Sequence, residues 1–283
     1  MTKAAKINSF IIWLVTLPAA ITATQAQTPA VEKISWEKKK ITKGLAWKHA
    51  HTTLFGARQN LNVLEVDLRR RTVSLVYHPT KNIVTSRMAA ETKGLAAVNA
   101  GFFDMKNGGS TTFIKVDGKV PDDDTTKWRK TETLNGALII KKDGTLEVEP
   151  AGTYNVYAAN STYDDVLVTG SLLVDNGNAP RLPDVAFVRT RHPRTCLCLG
   201  PKKTLKLITV DGRAEEAAGM SLWELANLAR MLQCDEAINL DGGGSTTMWI
   251  NGQGESGVVN MPSDNKKFDH QGERPVSNII AVY

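Results

Sequence analysis

Cysteine, histidine and aromatic side chains are scarce in this chain: three, five and 6% of 283 residues. Three cysteines cannot build a disulfide scaffold, so stability has to come from a packed core. Five histidines supply no HExxH pair, and no EF-hand loop accompanies them. His49 and His51 alternate on a strand and could bind a metal, but partly exposed strand histidines need no ion to explain them. Beyond the first 26 residues no apolar run approaches the roughly 20 residues of a membrane span. Charge of one sign is not concentrated either. The net charge is +6, and the one dense cluster, Arg69-Arg70-Arg71, lies between alternating segments Val63–Leu68 and Val73–His78. It reads as a solvated hairpin turn rather than a nucleic-acid surface.

What is present begins with an export signal. Lys3 and Lys6 precede an apolar stretch, Phe10 to Leu17, and Thr24-Gln25-Ala26 offers small residues for cleavage after Ala26. The expectation is a secreted or periplasmic protein with no stable membrane insertion after cleavage; an uncleaved anchor is the alternative. The two lysines of that segment account for +2 of the charge, leaving a mature chain near +4. In an oxidising compartment one disulfide and one leftover thiol are expected. Cys196 and Cys198 share a strand face, so either could reach Cys234, or all three could be small buried side chains.

Residues 27–59 read as a linker followed by N-terminal strands, and 60–283 as the functional domain. Strand signals dominate, at Leu95–Asn99, Gly136–Ile140, Ser171–Val174, Thr195–Leu199, Leu205–Val210, Ala237–Leu240 and Ser277–Tyr283. Helices are expected at Ser86–Lys93, stopped by Gly94, and at Ser221–Leu232, where Ser221 and Glu224 have capping-box spacing. Strands outnumber helices without alternating regularly with them. This predicts an α+β single domain with large mixed sheets, a few flanking helices and one surface cavity at the strand ends.

The chemistry gathers at strand ends. Asn239-Leu240-Asp241-Gly242-Gly243-Gly244-Ser245-Thr246-Thr247 closes an apolar strand on a carboxylate, three glycines and three hydroxyls. Such glycines cost chain entropy and leave backbone N–H groups open to close approach by an anion. Further clusters are Asn99-Ala100-Gly101-Phe102-Phe103-Asp104, Arg191-His192-Pro193-Arg194-Thr195, Asp211-Gly212-Arg213 with Glu216, and Glu273-Arg274. Singly, each reads as a turn, a surface arginine or a core aromatic. Together they hold carboxylates suited to an anomeric carbon and guanidinium forks suited to phosphate. The P-loop lysine and the Gly-x-Ser-x-Gly elbow are both missing. Gly108–Phe113 also echoes Gly243–Met248, which suggests two related halves whose loops meet at one site.

Taken in order, Val98–Asp104, Pro193-Arg194-Thr195, Asp211-Gly212-Arg213, Asn239–Thr247 and Arg274–Asn278 resemble the phosphodiester glycosidase family over about residues 60–283. Cys196-Leu197-Cys198 departs from the small or aliphatic residues expected there. The resemblance implies hydrolysis of a sugar-1-phosphodiester, of the alpha-N-acetylglucosaminyl type, to free sugar and phosphate monoester. It implies a sugar-phosphate or glycan partner, no nucleic acid and no cofactor, and leaves metal dependence open. Asp241, Asp211 or Glu216 would activate water or act as nucleophile. Arg191, Arg194 and Arg213 would hold phosphate with Gly242, Gly243, Gly244, Ser245 and Thr246. Asn99 and Asp104 would bind sugar hydroxyls, and Phe103 or Trp249 would stack on the ring. Gly101, Thr195 and Arg274 complete the expected lining. A non-catalytic polymer binder and a P–O-cleaving phosphodiesterase are the alternatives.

Overall fold

In the computed structural model Met1 and residues 34–121, 128 and 130–283 are described, so the expected export signal lies outside the described residues. The described residues from Ile34 onward form one compact unit. A seven-stranded sheet carries β1 (Glu37–Thr42), β2 (Leu45–Leu54), β3 (Ala57–Asp67), β10 (Leu172–Val174), β11 (Arg194–Gly200), β12 (Thr204–Val210) and β13 (Glu236–Asn239), in the order β1-β2-β3-β12-β11-β13-β10. A second sheet, β14-β5-β15-β4, uses β4 (Val73–Tyr77), β5 (Ala96–Asn99), β14 (Met248–Ile250) and β15 (Asn278–Val282). A third, β6-β9-β7-β8, uses β6 (Ile114–Lys115), β7 (Gly136–Lys141), β8 (Leu146–Pro150) and β9 (Tyr163–Thr169). Four short helices complete the described chain: α1 (Thr85–Glu91), α2 (Tyr154–Ala159), α3 (Ala186–Arg189) and α4 (Leu222–Met231). None is long and apolar enough to cross a membrane.

The α+β architecture is as the sequence implies. The pairing is antiparallel between all paired strands of the described residues rather than mixed. Consecutive hairpins supply β1–β2, β2–β3, β7–β8 and β11–β12, while the other eight pairings join non-consecutive strands.

Strict alternation explains why both faces of the large sheet are buried. In β12, Leu205 and Leu207 face the interior shared by all three sheets, with Leu64, Leu197, Ile238, Val98, Ile280 and Leu167. Ile208 and Val210 face the opposite way, with Cys196, Cys198 and Ala237, under the apolar stripe Leu222, Leu225 and Leu228 of α4. Ser221 opens that helix with the expected capping box: its side chain accepts from the Glu224 N–H, and Glu224 accepts from the Ser221 N–H. The outer faces of the smaller sheets are covered in the same manner. Met88 and Ala89 of α1 pack on Ala97 and Ala281, and Tyr157 of α2 packs on Ile139 and Val166.

One local expectation is corrected. The segments flanking Arg69–Arg71 are not a hairpin; β3 pairs with β2 and β12, whereas β4 pairs with β15 in another sheet. Asp67 gathers Arg69 and Arg70 at this corner, and Arg71 donates to the Lys43 carbonyl. Residues 37–54, within the segment expected to hold N-terminal strands, form β1 and β2 of the large sheet. The disulfide choice resolves to Cys198–Cys234, with a Cα separation of 5.5 Å. Cys196 stays a buried thiol, and desolvation pushes its pKa up to about 12.

Candidate active site

Antiparallel order brings five strand ends to one corner. β11 starts where β12 and β13 finish, and β5 finishes where β15 starts. Asn99, the last residue of β5, ties the corner together from a fully buried position. Its Nδ2 donates to the Asp241 carbonyl (2.6 Å), while its Oδ1 accepts from Thr195 Oγ1 (2.7 Å) and the Thr247 N–H (3.1 Å). Gly101 follows, where an added Cβ would meet Leu167 at 2.7 Å; its N–H donates to Asn278 Oδ1 (2.5 Å). Asn99, Thr195 and Gly101 therefore frame the site rather than line it.

The three-glycine loop leaves this corner at Asp241, whose N–H donates to the Ala100 carbonyl (2.8 Å). Each glycine accommodates a different neighbour. A Cβ on Gly242 would lie 2.7 Å from the Pro193 carbonyl, and one on Gly243 would lie 2.9 Å from Arg213 Nη2. One on Gly244 would come within 2.5 Å of Arg274 Nη2 and closer still to Asp264 Oδ1. Gly243 also has φ +62°, which favours glycine on backbone grounds. The loop thus lets two guanidinium groups lie directly over its main chain. Arg213 is exposed and has no ion pair among the described residues, while Arg274 is partly buried and shares its charge with Asp264. The loop amides are less open than the sequence suggests. Gly242 N–H donates to Asp241 Oδ1, Gly243 N–H to Pro193, Ser245 N–H to Gly242 and Thr246 N–H to Gly243, leaving the Gly244 N–H without an acceptor among the described residues.

Asp241 is the carboxylate at the root of this loop. It is partly exposed yet closely surrounded, and desolvation pushes its pKa up to about 6, with the Ser245 hydroxyl, the Gly242 N–H and the Arg274 charge pulling the other way. Ser245 Oγ lies by this carboxyl without a hydrogen bond of normal geometry. With Thr246 and Thr247 it forms a run of buried hydroxyls lacking partners.

Several expected residues lie elsewhere. Asp211 is fully buried, and three donors hold its two oxygens: Asn60 Nδ2 (2.7 Å), Asn260 Nδ2 (2.8 Å) and Met261 N–H (3.0 Å). Desolvation pushes it, too, up to about 6, but it is packed in the frame and cannot meet substrate. Glu216 is exposed, its carbonyl against His51 Nε2 (2.9 Å). Arg191 is committed to Glu224 and the Phe55 carbonyl. Arg194 is 1% exposed and donates to the Met220, Phe187 and Thr190 carbonyls; desolvation lowers its pKa to about 10. Asp104 accepts from Lys106 and Asn107 within its own turn, which keeps its pKa low. Trp249 is buried, with its Nε1 on the Ser256 carbonyl, and offers no stacking face.

Phe103 does reach a cavity. A hollow of about 430 Å³ beside the loop is lined by Phe103, Asn107, Gly108, Asp264 and Arg274. The two Gly-Ser-Thr segments of the sequence echo therefore flank the same arginine. Sequence reasoning missed Asn60, Asn260 and Asp264. Only Asn278 lay inside a quoted motif, and isolated asparagines carry no spacing signal. The sole carboxylate cluster with metal-like spacing among the described residues is Asp117, Asp164 and Asp165, on the third sheet. There Asp165 already accepts from the Leu75 and Asp117 N–H groups.

Residues 92–283 match the model of the phosphodiester glycosidase family, and the chain belongs to that family. It is similar to N-acetylglucosamine-1-phosphodiester alpha-N-acetylglucosaminidase of Homo sapiens, 29% identical over 202 residues, covering 66% of this chain and 37% of that protein. The Mus musculus enzyme is 27% identical over the same share. The chain thus spans little more than a third of these curated relatives. In structure it resembles the catalytic domain of the zebrafish enzyme, described as auto-inhibited by its pro-peptide, with a TM-score of 0.66, 22% identity and 88% of each chain covered. A hypothetical protein from Synechocystis shares the fold at a TM-score of 0.64 and 15% identity, over 88% of this chain and 63% of that one.

Proposed function

We propose that the protein is an exported hydrolase that cleaves a sugar-1-phosphodiester to free sugar and phosphate monoester, as the names of its relatives suggest. The observation that carries this reading is the placement of Asp241 at the root of a loop whose Gly243 and Gly244 lie under Arg213 and Arg274. The arginines and the Gly244 N–H hold the phosphodiester; Phe103 offers the ring a face in the adjoining hollow. The bond that breaks joins the anomeric carbon to the bridging phosphate oxygen, and its electron pair leaves with the phosphate monoester. Such a leaving group needs charge stabilisation more than protonation. Asp241 therefore works ionised, either accepting the proton of the attacking water or attacking the anomeric carbon before water replaces it. The anomer first released separates these two routes.

Incubating the full chain with alpha-N-acetylglucosamine 1-(methyl phosphate) in ¹⁸O-labelled water tests the reading. Label in the sugar supports it. Label in the phosphate identifies P–O cleavage, and saturable binding without product identifies a binder. A panel of other sugar-1-phosphodiesters, with and without chelator, defines the sugar and any metal requirement.

A further inference from the structure

The end of the large sheet opposite Asp241 frames a second hollow. There β11 turns into β12 and β2 begins, and a space of about 500 Å³ is lined by Lys40, Glu65, Asp67, Arg69, Lys202 and Lys206 among others. The seven residues of β12 separate the two ends by about 20 Å. The alternation that sends Ile208 and Val210 into the core under α4 puts Lys206 on the same face, with its side chain lining this hollow.

Lys206 is 8% exposed, and its ammonium makes neither a hydrogen bond nor an ion pair among the described residues. Buried lysines are ordinarily paired. Lys115 shows how this fold treats one that has no ligand to meet: at 2% exposure its Nζ donates to the Tyr157 (3.2 Å) and Asn160 (2.8 Å) carbonyls. The acids that line the hollow with Lys206 are engaged elsewhere. Glu65 pairs with Lys48, and Asp67 holds Arg69 and Arg70. Desolvation pulls the Lys206 pKa below the usual lysine range, with Glu65 and Asp235 holding it up against Lys48. At the mouth, Lys202 sits at φ +59°, a left-handed conformation that glycine or asparagine adopts more cheaply. A lysine held there adds a cation where the turn itself does not call for one.

We propose that this hollow is a binding site for a phosphate group, inorganic or carried on an ester, with Lys206 as its anchor and Lys40 and Lys202 as its rim. Lysines act as point charges that can converge on a tetrahedral dianion from separate strands. The volume leaves room for whatever the phosphate is attached to. This site stands independently of the reaction assigned to the Asp241 corner.

The test is a titration of ¹⁵N-labelled full chain with inorganic phosphate and with glycerol 3-phosphate at constant ionic strength. Saturable shifts of the Gly44, Gly200 and Lys202 amides are expected. Lys206→Met weakens the fitted affinity about tenfold, the loss of one charge-assisted contact, while the Gly242–Thr246 amides respond as before. Pocket amides that stay put overturn the proposal, as does an unchanged affinity in a Lys206→Met protein with native thermal unfolding. Should that variant fail to fold, Lys202→Ala at the exposed rim replaces it: weaker binding supports the site, and unaltered binding overturns it. Tighter binding of glycerol 3-phosphate assigns the site to esters, and equal binding assigns it to free phosphate.

Discussion

Two units of this chain share a backbone plan and differ in electrostatics. In each, a helix ends on a left-handed residue, Lys93 (φ +58°) after α1 and Gln233 (φ +59°) after α4. The closing hydrogen bonds match: Lys93 N–H to Ala90 and Gly94 N–H to Ala89, against Gln233 N–H to Arg230 and Cys234 N–H to Ala229. A four-residue strand follows and ends on a buried asparagine, Asn99 or Asn239. An aspartate then appears in a glycine-bearing loop. In the first unit Asp104 is held ionised by N–H groups of its own turn, which lower its pKa. In the second, desolvation raises Asp241 to about 6 under two arginines. A repeated supersecondary unit thus presents two carboxylates whose pKa values are shifted in opposite directions. The distinction lies in what surrounds each acid, not in the strand that presents it.

Substituting the two aspartates sharpens this contrast most. Asp241→Asn lowers turnover of a sugar-1-phosphodiester about 10³-fold, measured by sugar release. Near wild-type turnover in the folded variant would remove Asp241 from the mechanism. Next, Gly244→Ala drives a methyl into Arg274 and Asp264 and costs about 10²-fold in kcat/KM, with little change in thermal unfolding, because the displaced atoms are side-chain tips. Unaltered kinetics would show that Arg274 need not lie over the loop. A pH series comes third. Activity that needs ionised Asp241 rises as pH passes through about 6 and then levels. Stability runs the other way. Asp211 and Asp241 titrate above the ordinary 3.8, so at these two sites the folded chain binds more protons than the unfolded chain between about pH 4 and 6. Their contribution to stability therefore falls as pH rises through that window, and unfolding scans of Asp241→Asn lack its share of that fall relative to wild type. Last, Asp104→Asn changes activity by about twofold or less. A large loss there would erase the contrast between the units.

Much of this was readable from residue order. The α4 stripe and its capping box predict Ser221–Leu232, and Leu222–Met231 is found. The apolar run Leu205–Val210 appears as Thr204–Val210 because both of its faces are buried. Pairing was less legible. Alternation marks Val63–Leu68 and Val73–His78 as strands but does not say that they belong to different sheets, since Arg69–Arg71 could close a hairpin equally well. Within the site, Asp241 and its glycines stand out because no stable turn requires them. Asp211 and Arg194 carry the same chemical types, yet they are consumed by Asn60, Asn260 and main-chain carbonyls whose approach depends on tertiary packing. A charged residue's partners, and hence its availability, are set by contacts distant in sequence.

Because Asn99 clamps the Asp241 carbonyl, the Thr195 hydroxyl and the Thr247 amide at once, the reactive corner has little latitude to be remodelled. Changes in the molecule accepted must then fall to the rim, where the 102–110 and 264–275 segments border the Phe103 hollow on their own turns. Retargeting such an enzyme means rebuilding those margins while leaving its clasp untouched.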